Sequence, residues 1–208
     1  MFQGSKIFEN HYNDYCGQIA KLDFASITDT LGIEYDEDQM LVHFFNKAYR
    51  VSRNGITDAS GNRPDYATCV ILAKYILLCP DQFYHDTEWV SFKDFKRTSG
   101  FTNVNFFTSD TQQVILNHFS GKMDALFKAG EKLGGFQYKG EMPYDLAIQF
   151  TALPRLSLLL LYNEKDEEFP AQCTVLFEKH GEFYLDPESL VMTSAVLAKS
   201  LVKTDQPV

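Results

Sequence analysis

Two short segments of the chain carry residue types that ligand binding or acid–base chemistry would use. The first is Trp89–Arg97, in which aromatic and charged side chains are interleaved. If this segment is a strand, its two-residue period places Trp89 and Lys93 on the same side. The indole could then stack on a flat ligand while Lys93 or Arg97 binds a carboxylate or phosphate, with Asp94 as a further candidate ligand-binding residue. The alternative is an edge strand with one buried aromatic side and one solvated charged side.

The second segment is Asp166–Pro170, in the connection between two predicted strands. Its three adjacent carboxylates, Asp166, Glu167 and Glu168, repel one another, which raises the pKa of at least one of them where solvation is poor. Such a group could bind a hard cation or supply a general acid or base. No further ligands can be identified, so the sequence predicts no metal site. The alternative is a solvated acidic hairpin loop with Phe169 and Pro170 packed at its base.

The histidines and cysteines show none of the spacings by which metal sites and nucleophilic centres are recognised. The five histidines form no H-x-x-H or H-E-x-x-H pair, and the four cysteines form no C-x-x-C pair. Nucleophile elbows, phosphate-binding lysine loops and dinucleotide-binding glycine turns are also missing from the sequence. Each histidine is therefore interpreted as a hydrogen-bonded or surface side chain, and no catalytic residue or cofactor is identified.

Composition and charge exclude some classes of partner. The net charge of -9 argues against nucleic acid, because binding a phosphate backbone requires clustered cations that release counterions. The longest apolar stretch, Leu156–Tyr162, is far shorter than the ~20 residues of a membrane span, so no membrane association is expected. Met1–Asn10 has no apolar run after a basic start, which predicts that no signal peptide is present. We therefore expect a cytoplasmic protein whose cysteines are buried and reduced.

Periodic apolar residues indicate the elements that position these segments. Helical spacing predicts a first helix over residues 8–22, a second between Pro64 and Pro80, and a last one beginning at Asp186. A third helix is expected from the capping-box pair Ser109 and Gln112 to Gly134. Strands are predicted at the positions that follow: residues 40–45, 48–53, 56–57, 146–150, 156–162 and 171–177, with a hairpin turn at Asn54-Gly55 and an acidic loop over residues 34–38.

The order of these elements favours one fold class. Helices and strand clusters are segregated along the chain rather than strictly alternating, which predicts an α+β domain with an antiparallel or mixed sheet. The length of 208 residues and the hydrophobic share of 45% fit a single domain over residues 1–208. Only the ends, residues 1–5 and 203–208, are expected to be flexible. The apolar run at Leu158–Leu161 predicts a central strand covered on both faces.

An ordered series of short segments resembles one protein family. The segments are Trp89–Phe95, Leu133–Gly135, Leu153–Arg155, Asp166–Ala171, Val175–Phe177 and Tyr184–Leu190. In this order they resemble the domain-of-unknown-function family 3786, found largely in anaerobic bacteria and archaea. Some of its members look like fusions to a small cysteine-rich iron–sulfur domain, so the resemblance implies an association with redox or corrinoid metabolism. Because this chain has no such segment, a separate redox or iron–sulfur protein is the partner that the resemblance implies.

Three hypotheses about function follow, and the sequence leaves open whether the protein is an enzyme. The favoured one is a non-enzymatic ligand-binding or accessory protein in anaerobic redox or cofactor metabolism, in which the two segments could line one pocket. The second is a metal-assisted hydrolase or transferase that uses Asp166–Glu168. The third is a structural or interaction protein that forms a homodimer through a sheet edge.

Overall fold

The structure, a computed structural model, describes residues 6–36, 38–95 and 107–206. These residues form six α-helices: α1 (Lys6–Ile19), α2 (Phe24–Leu31), α3 (Tyr66–Leu77), α4 (Gln113–Phe119), α5 (Met123–Lys132) and α6 (Pro187–Asp205). They also form nine strands: β1 (Glu34–Asp36), β2 (Gln39–Phe44), β3 (Lys47–Ser52), β4 (Gly55–Asp58), β5 (Trp89–Ser91), β6 (Phe136–Gln137), β7 (Leu146–Leu153), β8 (Leu156–Asn163) and β9 (Gln172–Glu178). The predicted α+β class is confirmed. No helix in the described ranges is long and apolar enough to cross a membrane.

The first sheet is an antiparallel meander in the order β1-β2-β3-β4. Phe45 and Asn46 join β2 to β3 with φ angles of 45° and 60°, the backbone of a tight primed turn. The next turn lies at Arg53 and Asn54, because Ser52 pairs with Gly55. A hairpin turn between these strands was thus predicted correctly, but it was placed one residue too far along the chain. The expected acidic loop over residues 34–38 contains the edge strand β1 instead.

The second sheet has the antiparallel order β5-β9-β8-β7-β6. Its central strand β8 is buried from Leu156 through Tyr162, which confirms the prediction of a strand covered on both faces. The sheet curls strongly: Trp89 on the edge strand β5 and Tyr138, just after the opposite edge strand β6, have ring centroids 6.1 Å apart.

The edge strands of both sheets are short. β1 and β5 have 3 residues each, β4 has 4 and β6 has 2. Edges of this length offer few unpaired backbone groups to a second copy of the chain. A homodimer through a sheet edge stays a prediction, with little edge available to form it.

The last helix starts at Asp186 as predicted, whereas α3 starts after Pro64, which was expected to lie in its first turn. Asp65 caps α3 by accepting a hydrogen bond from the Thr68 N–H, and Asp186 caps α6 by accepting one from the Ser189 N–H. In α6 the expected face is buried: Leu190, Ser194, Leu197 and Leu201. The helix continues to Asp205, beyond the point where the flexible end was expected to begin.

The region predicted as one long third helix is divided. A π-helical turn at Thr108–Gln112 leads into α4, and Gly121, with a φ angle of 79°, separates α4 from α5. A glycine adopts this left-handed conformation without the steric cost that a Cβ would bring, so the chain can turn there. The Ser109 hydroxyl donates to the Asp110 carboxylate, and no side-chain cap is formed at α4. Helix α2 was not predicted from the sequence.

Both sheets contribute to one hydrophobic core. Met40 and Val42 of β2 belong to the same buried cluster as Ile148 and Phe150 of β7. The Phe45 N–H also donates to the Ala152 carbonyl, which joins the two sheets through the backbone. The two sheets therefore form one framework, which brings residues from both halves of the chain together.

Candidate functional site

The aromatic and charged segment is a strand only in its first part. β5 ends at Ser91, and a 3-10 turn over Phe92–Asp94 follows. Phe92 and Phe95 are buried while Lys93 and Asp94 are exposed, so the expected two-residue period ends at Ser91. The buried phenylalanines are three residues apart because a 3-10 turn returns to the same side after three residues. Arg97 lies outside the described residues.

The acidic segment is a well-solvated turn. The Asp166 carboxylate accepts hydrogen bonds from the N–H groups of Glu168 and Phe169, at 2.8 and 2.7 Å. These two bonds lower the pKa of Asp166, so the raised pKa expected from crowding is not found at this residue. Phe169 is 61% exposed rather than packed at the base of the loop.

These two segments lie at opposite ends of β9. Trp89 pairs with Glu178 at the end of this strand, whereas the acidic turn precedes its first residue, Gln172. Six residues of extended strand span about 20 Å. Trp89 and Lys93 are thus not brought into one cleft with Asp166, Glu167 and Glu168, and ligand binding by either segment stays a prediction.

The structure does bring together a polar cluster around His180, which is 4% exposed. The imidazole Nδ1 is 3.0 Å from the Asp86 N, and Nε2 is 3.1 Å from the Arg155 carbonyl oxygen. Nδ1 is also 3.0 Å from the Asp86 carbonyl oxygen, so both backbone groups of Asp86 face this nitrogen. Glu178 lies 3.5 Å from Nε2. Because backbone groups occupy both ring nitrogens, His180, which follows β9, is tied to the loop before β5 and to the turn between β7 and β8, as a hydrogen-bonded histidine would be.

A second polar cluster lies at the C-terminal end of α2. The Tyr75 hydroxyl donates to the Leu31 carbonyl at 2.6 Å and accepts from the Arg155 N–H at 3.1 Å. The Arg155 guanidinium donates to the carbonyls of Asp29 and Thr30. These bonds satisfy carbonyl groups that a helix end leaves without partners, so their role is structural.

Glu164 follows β8 in the chain, and its carboxylate lies at the N-terminal end of α5, beside a cavity of about 670 Å³. Its carboxylate accepts hydrogen bonds from the N–H groups of Gly121, Met123 and Lys165, at 2.8, 3.1 and 2.8 Å. Burial alone would raise the pKa of Glu164, but these backbone hydrogen bonds outweigh it and lower the pKa below 4.5. The carboxylate therefore serves as an internal cap for this helix.

We expect Glu164→Gln to lower the free energy of unfolding by about 1 kcal/mol at pH 7, the usual cost of losing a helix cap. The folded-state pKa lies below the unfolded one, so the carboxylate stabilises the fold at pH values above about 4.5 and loses this effect as the pH falls through the lowered pKa. In urea titrations below that pH, the difference in the free energy of unfolding between wild type and variant should therefore become smaller. Glu167→Gln, the same charge change in the exposed loop, is the control. A pH-independent difference would contradict the assignment.

A groove along α6 combines charge with apolar surface. Its cavity of about 440 Å³ lies between the start of β3, the start of α3, the π-helical turn and α6. An adjoining cavity of about 480 Å³ shares Lys47 and Asp65 as lining residues, so the two lie side by side. The main cavity is lined by Lys47, Asp65, Ala67, Asp110, Val191, Met192, Ala195, Val196, Lys199, Ser200 and Lys203. We call this surface the α6 groove.

The charged groups of the α6 groove are not balanced. Lys47, Lys199 and Lys203 are exposed, and none forms an ion pair with the residues that the structure describes. Asp65 is engaged by the N–H and hydroxyl of Thr68. Asp110 accepts from the Ser109 hydroxyl. The lysines thus give the groove an excess of positive charge in a chain whose net charge is -9.

Two backbone features border the same groove. The π-helical turn that carries Asp110 is fixed to α6 by a buried contact of 2.9 Å between the hydroxyls of Thr111 and Ser194. Such turns occur frequently at functional sites. Ala67 lies in the first turn of α3, whose free N–H groups already have the Asp65 carboxylate as their cap. Both features bring a carboxylate to the groove, so its attraction for an anion comes from the three lysines.

The cavity beside Glu164 is less suited to this chemistry. Its three lysines, Lys122, Lys128 and Lys132, lie with three carboxylates, Asp124, Glu164 and Asp205, whereas the three lysines of the α6 groove lie with two. The α6 groove is therefore the candidate functional site. Sequence reasoning missed it because only the buried face of the last helix was considered. A second apolar stripe at residues 191, 192, 195 and 196 was the signal that could have found it.

Comparison with known proteins gives one match. Residues 23–200 match the model of a family described as Domain of unknown function (DUF3786). The matched range includes every residue of the α6 groove except Lys203. Neither a curated protein nor a solved structure matches the chain.

Proposed function

Since this chain belongs to the domain-of-unknown-function family DUF3786, we propose that it is a non-enzymatic ligand-binding protein that acts as an accessory in redox or cofactor metabolism. The α6 groove is its binding site, and its ligand is an anion. The observation that carries this proposal is the set of three lysines, without an ion-pair partner among the described residues, beside apolar surface in an acidic chain.

The lysine arrangement favours binding of an anion over a role in stability. Lys199 and Lys203 are four residues apart on α6, and like charges at this spacing destabilise a helix by about 0.2–0.5 kcal/mol. A bound anion would remove this repulsion and give each ammonium group a partner. No cysteine lines the groove within the described part of the chain, so it offers no thiol nucleophile.

The double variant K199Q/K203Q should weaken anion binding about tenfold, since each exposed ion contact contributes roughly 0.2–1 kcal/mol. Isothermal titration calorimetry at low ionic strength, with pyrophosphate and octyl phosphate as probes, measures this effect. Glutamine removes the charge, is only one atom shorter than lysine and has a similar helix propensity, so the fold is expected to be retained.

The chain offers a matched control for this experiment. Lys128 and Lys132 are also exposed and four residues apart, on α5 beside the other cavity. K128Q/K132Q makes the same charge change and should leave binding unaltered. If neither probe binds, or if the two double variants weaken binding equally, the proposal is wrong.

A further inference from the structure

We infer that the ligand of the α6 groove is an amphipathic anion, an unbranched apolar chain that ends in a carboxylate or phosphate. This inference rests on the proposed function and specifies its ligand class. The observation that carries it is the order of side chains along α6: apolar side chains line one part of the groove, and lysines line the adjacent part.

The relevant side chains follow one another on one face of the helix. Met192, Val196, Lys199 and Lys203 are separated by four, three and four residues, which is the spacing of a continuous helical stripe. At 1.5 Å per residue, the stripe from residue 191 to residue 203 is about 18 Å long. A ligand lying along it would place its chain on residues 191–196 and its anionic head between Lys199 and Lys203.

The opposite orientation is disfavoured by Asp110. The buried contact between Thr111 and Ser194 holds the π-helical turn against the apolar part of α6. Asp110 directly precedes Thr111 and lines the same cavity. An anionic head at that end would meet a carboxylate of the same sign, whereas at the lysine end it meets two ammonium groups.

The apolar surface available to a ligand is continuous. Val191, Met192, Ala195 and Val196 are all partly buried and line the cavity together. A bare phosphate would leave these four side chains uncovered, whereas an alkyl chain would remove them from water. Burial of apolar surface therefore favours a ligand with a chain.

The groove suits a single dissolved amphiphile better than a membrane surface. Juxtaposed cations attract an anionic bilayer by about 1 kcal/mol each, and tight anchoring requires a larger cluster. Three lysines in a chain of net charge -9 do not form such a cluster. We therefore assign the site to a monomeric amphiphile.

Titrating hexyl and octyl phosphate, both below their micelle-forming concentrations, tests the chain. Each buried methylene increases affinity about fourfold, or about twofold in an open groove where burial is partial. Octyl phosphate should thus bind about 4- to 16-fold more tightly than hexyl phosphate. Octanoate should show the same preference over hexanoate, and octyltrimethylammonium should bind at least ~10-fold more weakly than octyl phosphate.

Two variants separate the contributions of head and chain. Met192→Gln, which keeps the side-chain length, should reduce the ratio between the octyl and hexyl compounds. K199Q/K203Q should weaken the binding of both compounds by the same factor and leave the ratio unchanged.

Equal affinity for the two chain lengths, with retained and lysine-dependent pyrophosphate binding, would overturn the amphipathic ligand while the proposed function stands. Absence of binding by every anion would overturn both. Binding to anionic phospholipid vesicles without binding of monomers would overturn the assignment in favour of a lipid surface.

Discussion

Replacing His180 with alanine is expected to lower the free energy of unfolding by about 3 kcal/mol. The substitution leaves the Asp86 N–H and the Arg155 carbonyl without their buried partner, and an unsatisfied buried polar group costs about 1–3 kcal/mol. It also leaves a cavity in a site where the ring is 4% exposed. Urea unfolding measures the loss, and a thermal melt should show a decrease of roughly 10 °C for a chain of this size.

His85→Ala is the matched control for this result. His85 is exposed, and its ring contacts those of Phe83 and His180. Its removal should cost less than about 1 kcal/mol, the range of most surface substitutions. If the two variants lose equal stability, the buried ring is not a structural tie. Amide exchange at Asp86 should also accelerate in His180→Ala, because its N–H loses a buried acceptor.

Gly135→Ala should destabilise the protein by about 2 kcal/mol, the usual cost of overpacking a core. A Cβ at this position would lie 2.5 Å from a ring carbon of Phe150 and 2.8 Å from a methyl carbon of Ile148. Both of these side chains are buried in the core, so neither can move aside without disturbing its own neighbours. Chemical denaturation of the variant and the wild type gives the difference.

Gly17→Ala provides a comparison with the opposite sign. A Cβ there meets nothing within 4 Å, and the residue lies in α1. Alanine should stabilise the helix by about 0.5 kcal/mol, less than the full difference in propensity because the site is close to the helix end. Destabilisation by both substitutions would show that the space around Gly135 is not what decides the outcome.

The glycine pair also shows how far local sequence rules reach. Gly134-Gly135 was predicted to end a helix, and this is confirmed: the Gly134 N–H donates to the Glu131 carbonyl and the Gly135 N–H to that of Gly130. Gly134 has a φ angle of 81°, which is the local reason for glycine. The need for glycine at Gly135 comes from Phe150, a residue of another element, and could not be predicted from the helix alone.

The same distinction explains the other successes and failures. The cap and buried face of α6 and the buried strand β8 follow from neighbouring residues, and both were predicted correctly. The capping-box pair Ser109 and Gln112 was misleading because the contact between Thr111 and Ser194 fixes a π-helical turn there. No local pattern contains that contact.

The candidate site was beyond sequence reasoning for a related reason. The α6 groove requires Lys47 of the first sheet to lie beside Lys199 of the last helix, and only the folded chain brings them together. Trp89–Arg97 and Asp166–Glu168 attracted attention because their unusual residues are adjacent in sequence. Adjacent charges in an exposed turn are readily solvated, whereas charges brought together from distant elements can be left without partners.

Because the second sheet curls, the fluorescence of Trp89 can report on the distance between the two edges of that sheet. Trp89 is the single tryptophan of the chain, and its indole meets the Tyr138 ring edge-on across the two margins of that sheet. Its ultraviolet emission is therefore sensitive to separation of those margins. Because Trp89 does not line the α6 groove, the emission reports on this closure independently of whether the groove is occupied.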